Sequence, residues 1–128
     1  MIVIDGSALV VAVIDTTERG GRVRSRLDDG AIAPHLVDAE VGQAVRGLVL
    51  RGRVEADAAE RSVAAAEALV LERYPHRPLR RRAWELRANV SFYDGLYVAL
   101  AELTGCPLVT ADAKRAAAHG PTCAIEVV

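Results

Sequence analysis

Four carboxylates carry the chemistry that can be read from this chain: Asp5, Glu40, Asp94 and Asp112. Asp5 and Asp112 each follow a short apolar run, Ile2–Ile4 and Pro107–Thr110, that reads as a buried strand. The carboxyl ends of strands in an open parallel sheet are where ligand sites form. Asp94 falls in the first turn of a predicted helix, where its charge suits the positive end of the dipole. Glu40 sits between Ala39 and Val41, beside the apolar stripe of another helix, and is expected to point towards the same sheet edge. Singly, each acid has an ordinary use as a loop residue, a cap, a solvated side chain or a turn former. Together they raise a charge problem, because two unit charges 4 Å apart repel by roughly 4 kcal/mol at an effective dielectric of 20. Converging carboxylates need protons or a cation, and a bound cation answers this best.

The ligand type suggests which cation. All four groups are hard oxygen donors and no His or Cys stands beside them, which favours Mg2+ or Mn2+ over Zn2+. Such an ion activates water and neutralises charge on a phosphoryl oxygen, the two requirements of phosphodiester hydrolysis. Ser7 and Thr110 lie two positions from Asp5 and Asp112, where their hydroxyls can orient a carboxylate or serve as simple caps.

The elements that must position these residues alternate. After the first strand, Gly6-Ser7 supplies a turn and cap, and Ala8–Ile14 a short helix. Gly20-Gly21 is expected to break the chain before a polar helix from about Arg22 to Asp28, and Ala31–Ala33 reads as a second strand. Helices are expected over Leu36–Leu50, with Val37, Val41, Ala44 and Leu48 as a stripe, and over Glu55–Glu72, with Ala59, Val63, Ala66 and Val70. Pro75 and Pro78 bracket a break, and Trp84–Arg87 sits on a short helix. A longer one runs from Phe92 to Leu103, with a stripe of Leu96, Ala99, Leu100 and Leu103, and Gly105 as its stop. Lys114–Ala118 is a last helix and Cys123–Val127 a last strand. Short apolar strands between helices predict one α/β domain over residues 1–128 with a mostly parallel sheet.

Composition sets the outer bounds. The chain has 128 residues, 52% of them hydrophobic, which is enough for a real core and excludes wholesale disorder. The net charge of -1 offers no global attraction to nucleic acid, so local charge must do that work. Residues 1–15 lack a basic leader and a cleavage pattern and are too short for a bilayer, and two isolated cysteines, Cys106 and Cys123, suggest neither disulfides nor zinc. A soluble, reduced, cytoplasmic protein is expected.

Local charge is concentrated before Asp94. Arg73, Arg77, Arg80, Arg81, Arg82 and Arg87 crowd one segment, and guanidinium groups suit bidentate phosphate contacts. Trp84 and Tyr93 offer stacking surfaces for unpaired bases, although Trp84 is equally at home in a core. His35, His76 and His119 are isolated from one another and are not needed as bases where metal-activated water is available.

The segments Ile2-Val-Ile-Asp-Gly-Ser-Ala8, Asp38-Ala-Glu40-Val41, Tyr93-Asp94-Gly-Leu-Tyr-Val-Ala-Leu-Ala-Glu102 and Leu108-Val-Thr110-Ala-Asp112 resemble the PIN-domain ribonucleases, most of all the VapC-type toxins of bacterial toxin–antitoxin pairs. The resemblance runs from residue 2 to the final strand, and Tyr93–Asp112 is its most specific part. It implies a three-layer α/β/α fold, Mg2+- or Mn2+-dependent endoribonuclease activity on an RNA substrate, a homodimer, and inhibition by a cognate antitoxin. The family's acidic quartet maps onto Asp5, Glu40, Asp94 and Asp112, and its polar position onto Thr110. The resemblance also offers the arginine segment a second use, contact with an acidic antitoxin tail. Gly6 and Gly95 stand where such proteins more often have Ala, and Lys114 and Arg115 stand where some carry a further acid, which bears on a second metal position.

Other functions fit the residues less well. A catalytically silent PIN-fold module binding RNA or protein would not need the quartet, and a nuclease with the same site could act on DNA. A haloacid dehalogenase-type phosphatase wants a second Asp where Ser7 stands, and a receiver domain wants a paired acid where Gly6 follows Asp5.

Overall fold

The computed structural model describes residues 1–128. Five strands, β1 (Ile2–Ile4), β2 (Ala31–Pro34), β3 (Val70–Tyr74), β4 (Leu108–Thr110) and β5 (Ile125–Val127), form one sheet in the order β3-β2-β1-β4-β5. Every neighbouring pair is parallel, so the sheet expected to be mostly parallel is wholly so. Parallel strands need crossovers. Seven helices supply them: α1 (Gly6–Ile14), α2 (Glu18–Leu27), α3 (Leu36–Leu50), α4 (Ala56–Leu69), α5 (His76–Glu85), α6 (Phe92–Thr104) and α7 (Ala113–Ala116). The chain builds outward from β1 to β3, then returns to the other side of β1 for β4 and β5. With right-handed crossovers, that reversal puts α1–α4 on one face of the sheet and α5–α6 on the other. The packing agrees: α1 meets α2, α3 and α4, while α5 pairs with α6 and α6 lies on β1, β2 and β4.

Ile2, Val3, Ile4, Leu108 and Val109 are all buried, which explains why these strands read as unbroken apolar runs rather than alternating ones. The middle of α6, Gly95 to Ala101, is buried at every position. Leu103, expected on its inner stripe, is instead 65% exposed because the helix has passed the sheet by then. Gly105 ends α6 in the left-handed region at φ 68°, as expected of a terminal glycine.

Three expectations are corrected. Gly20-Gly21 does not break the chain; both lie inside α2, and a Cβ on Gly20 would stand 1.9 Å from the Asp15 carbonyl oxygen. That glycine admits a close approach between two helices. The helix expected over Glu55–Glu72 stops at Leu69, and Val70–Tyr74 is the edge strand β3. Its β-branched and aromatic residues favour the pleated state, and its outward Leu71 and Glu72 hid the strand signal because an edge is only half covered. Pro75 and Pro78 bracket no break: Pro75 is the N-cap of α5 and Pro78 sits in its first turn, where a missing N–H is no loss. The short helix expected to carry Trp84–Arg87 is α5, which holds Trp84 near its end and stops at Glu85, short of Arg87. No helix is long and apolar enough to cross a membrane.

Candidate active site

The reversal of strand order falls between β1 and β4, which pair in register with Val3 opposite Leu108 and Ile4 opposite Val109. Two acids leave the sheet together at this switch point, the expected place for a ligand crevice. Asp5 follows β1, with its N–H donating to the Val109 carbonyl at 3.2 Å. Its side chain is fully buried and caps α1: Oδ1 accepts from the Ala8 N–H at 2.8 Å and from the Ser7 hydroxyl at 2.6 Å. Ser7 Oγ in turn accepts from the Ala111 N–H at 3.0 Å and lies 3.4 Å from Thr110 Oγ1. Buried Thr110 accepts from the Asp112 N–H at 3.0 Å, and Asp112 Oδ1 accepts from Lys114 N–H at 2.9 Å as the cap of α7. The two hydroxyls stitch the loops after β1 and β4 to each other and orient both acids.

The other two acids come from opposite helical layers. Glu40, on α3, is half-buried against the start of α1, and Tyr97 of α6 donates its hydroxyl to Glu40 Oε2 at 2.6 Å. Burial raises the Glu40 carboxyl above its usual value; the Tyr97 bond draws it partly back, and the nearby Asp94 charge pushes it up again. A Cβ on Gly6 would stand 2.7 Å from both Cβ and Oε2 of Glu40. Glycine at this position is what lets α3 bring its acid to the sheet edge. Gly95 has a similar reason, since a Cβ there would come within 3.0 Å of the Ala83 Cα in α5. Both departures from the family's Ala are thus close approaches of neighbouring helices. Burial also raises the Asp94 carboxyl, with Ser91 opposing and Asp112 adding to the shift.

The centre of the cluster holds a cation that belongs to the chain. Arg115, on α7, pairs Nη1 with Asp5 Oδ2 and Nη2 with Asp94 Oδ1 at 2.5 Å, and its side chain is only 10% exposed. Its guanidinium also stands 5.7 Å from the Tyr97 ring centroid. With the guanidinium between them, the acids form no group of three or more around one point. The donor set nonetheless fits a hard divalent ion: it is all carboxylate, and the fully buried Asp5 Oδ2 has only the Arg115 guanidinium beside it.

Tyr97 did not stand out in the sequence as part of this site, and Arg115 did so only as standing, with Lys114, where some PIN proteins carry a further acid. Tyr97 follows Asp94 by three residues and shares its helix face, a spacing that could have flagged it. Arg115 follows Asp112 by three on a short helix, and nothing local distinguishes it from a solvated arginine.

The arginine segment divides. Arg82 makes a bidentate pair with Glu102 at 2.6 and 3.1 Å and donates to the Gly120 carbonyl at 2.9 Å. Arg73 is held by Asp38 at 2.7 and 2.8 Å. These two tie elements together. Arg77, Arg80 and Arg81 are exposed, and the Arg87 guanidinium lies 4.9 Å from the Trp84 ring centroid. Trp84, 60% exposed, is outside the core and lines a hollow of about 770 Å³ with Arg80, Arg81, Glu85 and Phe92. A second hollow of about 720 Å³ adjoins the acids and contains Ser7, Glu40, Tyr93 and Arg115. Of the histidines, His76 accepts the Leu36 N–H at 3.0 Å, a structural use at the start of α3. Cys106 and Cys123 are free and partly buried.

A family model for the PIN domain matches residues 2–119. Ribonuclease VapC1 of Mycobacterium tuberculosis is 42% identical over 128 residues, covering 98% of this chain and 96% of its own. Ribonuclease VapC9 of the same organism is 40% identical over 129 residues, covering 100% and 98%. Among solved structures, PAE2754 from Pyrobaculum aerophilum matches with a TM-score of 0.72 at 28% identity, over 98% of this chain and 83% of that one. M. tuberculosis VapC20, a Sarcin-Ricin loop cleaving toxin, has a TM-score of 0.65 at 18% identity over 91% and 94%, a likeness of fold. The chain belongs to the PIN-domain family, among its VapC ribonucleases.

Proposed function

We propose that this protein is a Mg2+- or Mn2+-dependent endoribonuclease that acts as the toxin of a toxin–antitoxin pair, as one cytoplasmic domain working in a homodimer. The observation that carries this is the burial of Asp5 at the β1/β4 switch point, sharing one cation with Asp94 while Glu40 and Asp112 flank them. An all-carboxylate set with a buried member is what a hard divalent ion requires. Asp5, Asp94, Asp112 and Glu40 would hold the ion, which when bound supplies charge neutralisation on the phosphate and a more acidic water.

The chain's own residues prepare that site. Ser7 fixes the Asp5 carboxylate and Thr110 fixes the Asp112 backbone, so neither acid needs to reorganise when an ion arrives. Tyr97 holds Glu40 towards the crevice with its phenol, which burial keeps protonated as a donor. Arg77, Arg80, Arg81 and Arg87 hold RNA phosphates, with Trp84 and Tyr93 as platforms for unpaired bases. Arg82, committed to Glu102, supports this surface and does not contact RNA.

The test maps RNA 5′ ends after brief induction of the wild type and of Asp94→Asn. New ends that need Asp94 are expected, with co-expressed antitoxin abolishing them. The same ends in both strains would overturn the site. Matched RNA and DNA strands, cut in Mn2+ and in chelator, separate ribonuclease from deoxyribonuclease action. Metal binding without cleavage of any RNA would instead leave a silent binding module.

A further inference from the structure

We propose that Arg115 is a displaceable internal counter-ion: it occupies the cation position of the metal-free site and withdraws when a divalent ion binds. This rests on the metal site proposed above.

Three features of Arg115 separate it from the chain's structural arginines. The first is its bonding. Arg26 grips Glu126 through Nε and Nη2 at 2.9 and 3.0 Å, and Arg82 and Arg73 grip their carboxylates the same way, each with two regular hydrogen bonds to one acid. Arg115 grips no acid with two nitrogens: Nη1 meets Asp5 Oδ2, Nη2 meets Asp94 Oδ1, and its buried Nε has no acceptor. A buried guanidinium N–H without an acceptor is a cost, so charge holds this side chain in place more than fit does.

The second is its support. Helix α7 is one turn long and has no buried residue, so Arg115 can move outward without drawing any core side chain of its own helix with it. The third is the exit. Arg115 lines the hollow of about 720 Å³ that opens beside Ser7, Glu40 and Tyr93, giving the side chain a place to go without unfolding its neighbours. In the displaced position a guanidinium would face the RNA backbone just outside the acids, where it suits phosphate.

Removal of the Arg115 charge should therefore help the ion and harm the metal-free protein, a pair of effects that a merely structural arginine would not give. The experiment measures Mn2+ affinity, by the loss of the free-ion paramagnetic signal, and melting temperature with and without Mn2+. It compares wild type, Arg115→Gln, Arg115→Met and the control Asp5→Asn. Expected are a Mn2+ Kd at least about tenfold lower in both Arg115 variants, because one competing positive charge has gone, a lower melting temperature without metal, and recovery to the wild-type value at saturating Mn2+. Should either variant fail to fold without metal, folding restored by Mn2+ reads the same quantity. An unchanged or weaker Mn2+ affinity in the Arg115 variants, with Asp5→Asn losing it, overturns the displacement and leaves the metal site standing. Equal Mn2+ binding by wild type and Asp5→Asn, or none by wild type and both Arg115 variants, removes the metal site and this inference with it.

Discussion

The Tyr97 hydroxyl donates to Glu40 Oε2 at 2.6 Å across the edge of the sheet, joining an acid from one helical layer to a buried phenol from the other. Tyr97→Phe removes the donor and leaves a half-buried carboxylate short of a partner. Metal-free stability should fall by about 1–3 kcal/mol, measured by denaturant unfolding, and Mn2+ affinity should weaken because Glu40 loses its orientation. An unchanged affinity would detach Glu40 from the ion.

Acidity of the same carboxyl gives a pH signature. Burial raises Glu40 above the usual value of 4.5, so the folded metal-free protein holds this proton more tightly than the unfolded chain does. The resulting stability is fully present below 4.5 and is lost as pH rises through the raised value. The melting temperature of metal-free protein should carry a component that declines over this window, and Glu40→Gln should flatten it. Mn2+ affinity should move the opposite way, rising with pH as the ligand deprotonates.

A methyl group at Gly6 tests the close approach of α3. The added Cβ would stand 2.7 Å from Glu40 Cβ, so Gly6→Ala must push α3 away despite Ala's better helix propensity. A loss of about 1–3 kcal/mol, typical of overpacking, together with weaker Mn2+ binding is expected. Gly42→Ala, which meets nothing within 4 Å, should be neutral or stabilising and serves as the control.

The arginines should separate by assay. Arg82→Ala breaks the pair with Glu102 and frees the Gly120 carbonyl, and should lower the melting temperature while leaving the salt dependence of RNA binding alone. Arg80→Ala and Arg81→Ala should do the reverse, each reducing the slope of log K against log salt by about 0.7–1 for single-stranded RNA. Trp84→Ala should cost about 1–3 kcal/mol of binding if one base stacks there, with little change in stability because the ring is 60% exposed. Unaltered RNA binding in all three surface variants would move the interface elsewhere.

Much of this arrangement could be read from the residues in order. Asp5 and Asp112 follow strands whose continuous apolar character announces a doubly covered sheet, and parallel neighbours bring their ends to one edge whatever the helices do. Gly105 marks the end of α6 by a conformation that other residues avoid. What escaped the sequence depends on packing between segments far apart in the chain. The strand Val70–Tyr74 lies at the sheet's edge, where half-covered side chains blur the pattern. Gly20 resembles a breaker until the Asp15 carbonyl is seen against it. Arg115 is a surface arginine by every local sign, and only the folding of α7 over the β1/β4 edge brings it between Asp5 and Asp94.

The pairing of β1 with β4 also sets when this chemistry can first exist. β1 is synthesised well before its partner on that side, which begins at Leu108, and the last acid is Asp112. A nascent chain shorter than that has Asp5 without the neighbour that completes the crevice, however well its first helices have formed. On the proposed function, nuclease activity is thereby withheld until β4 has been made, and a truncation ahead of β4 is expected to be inert rather than weakened.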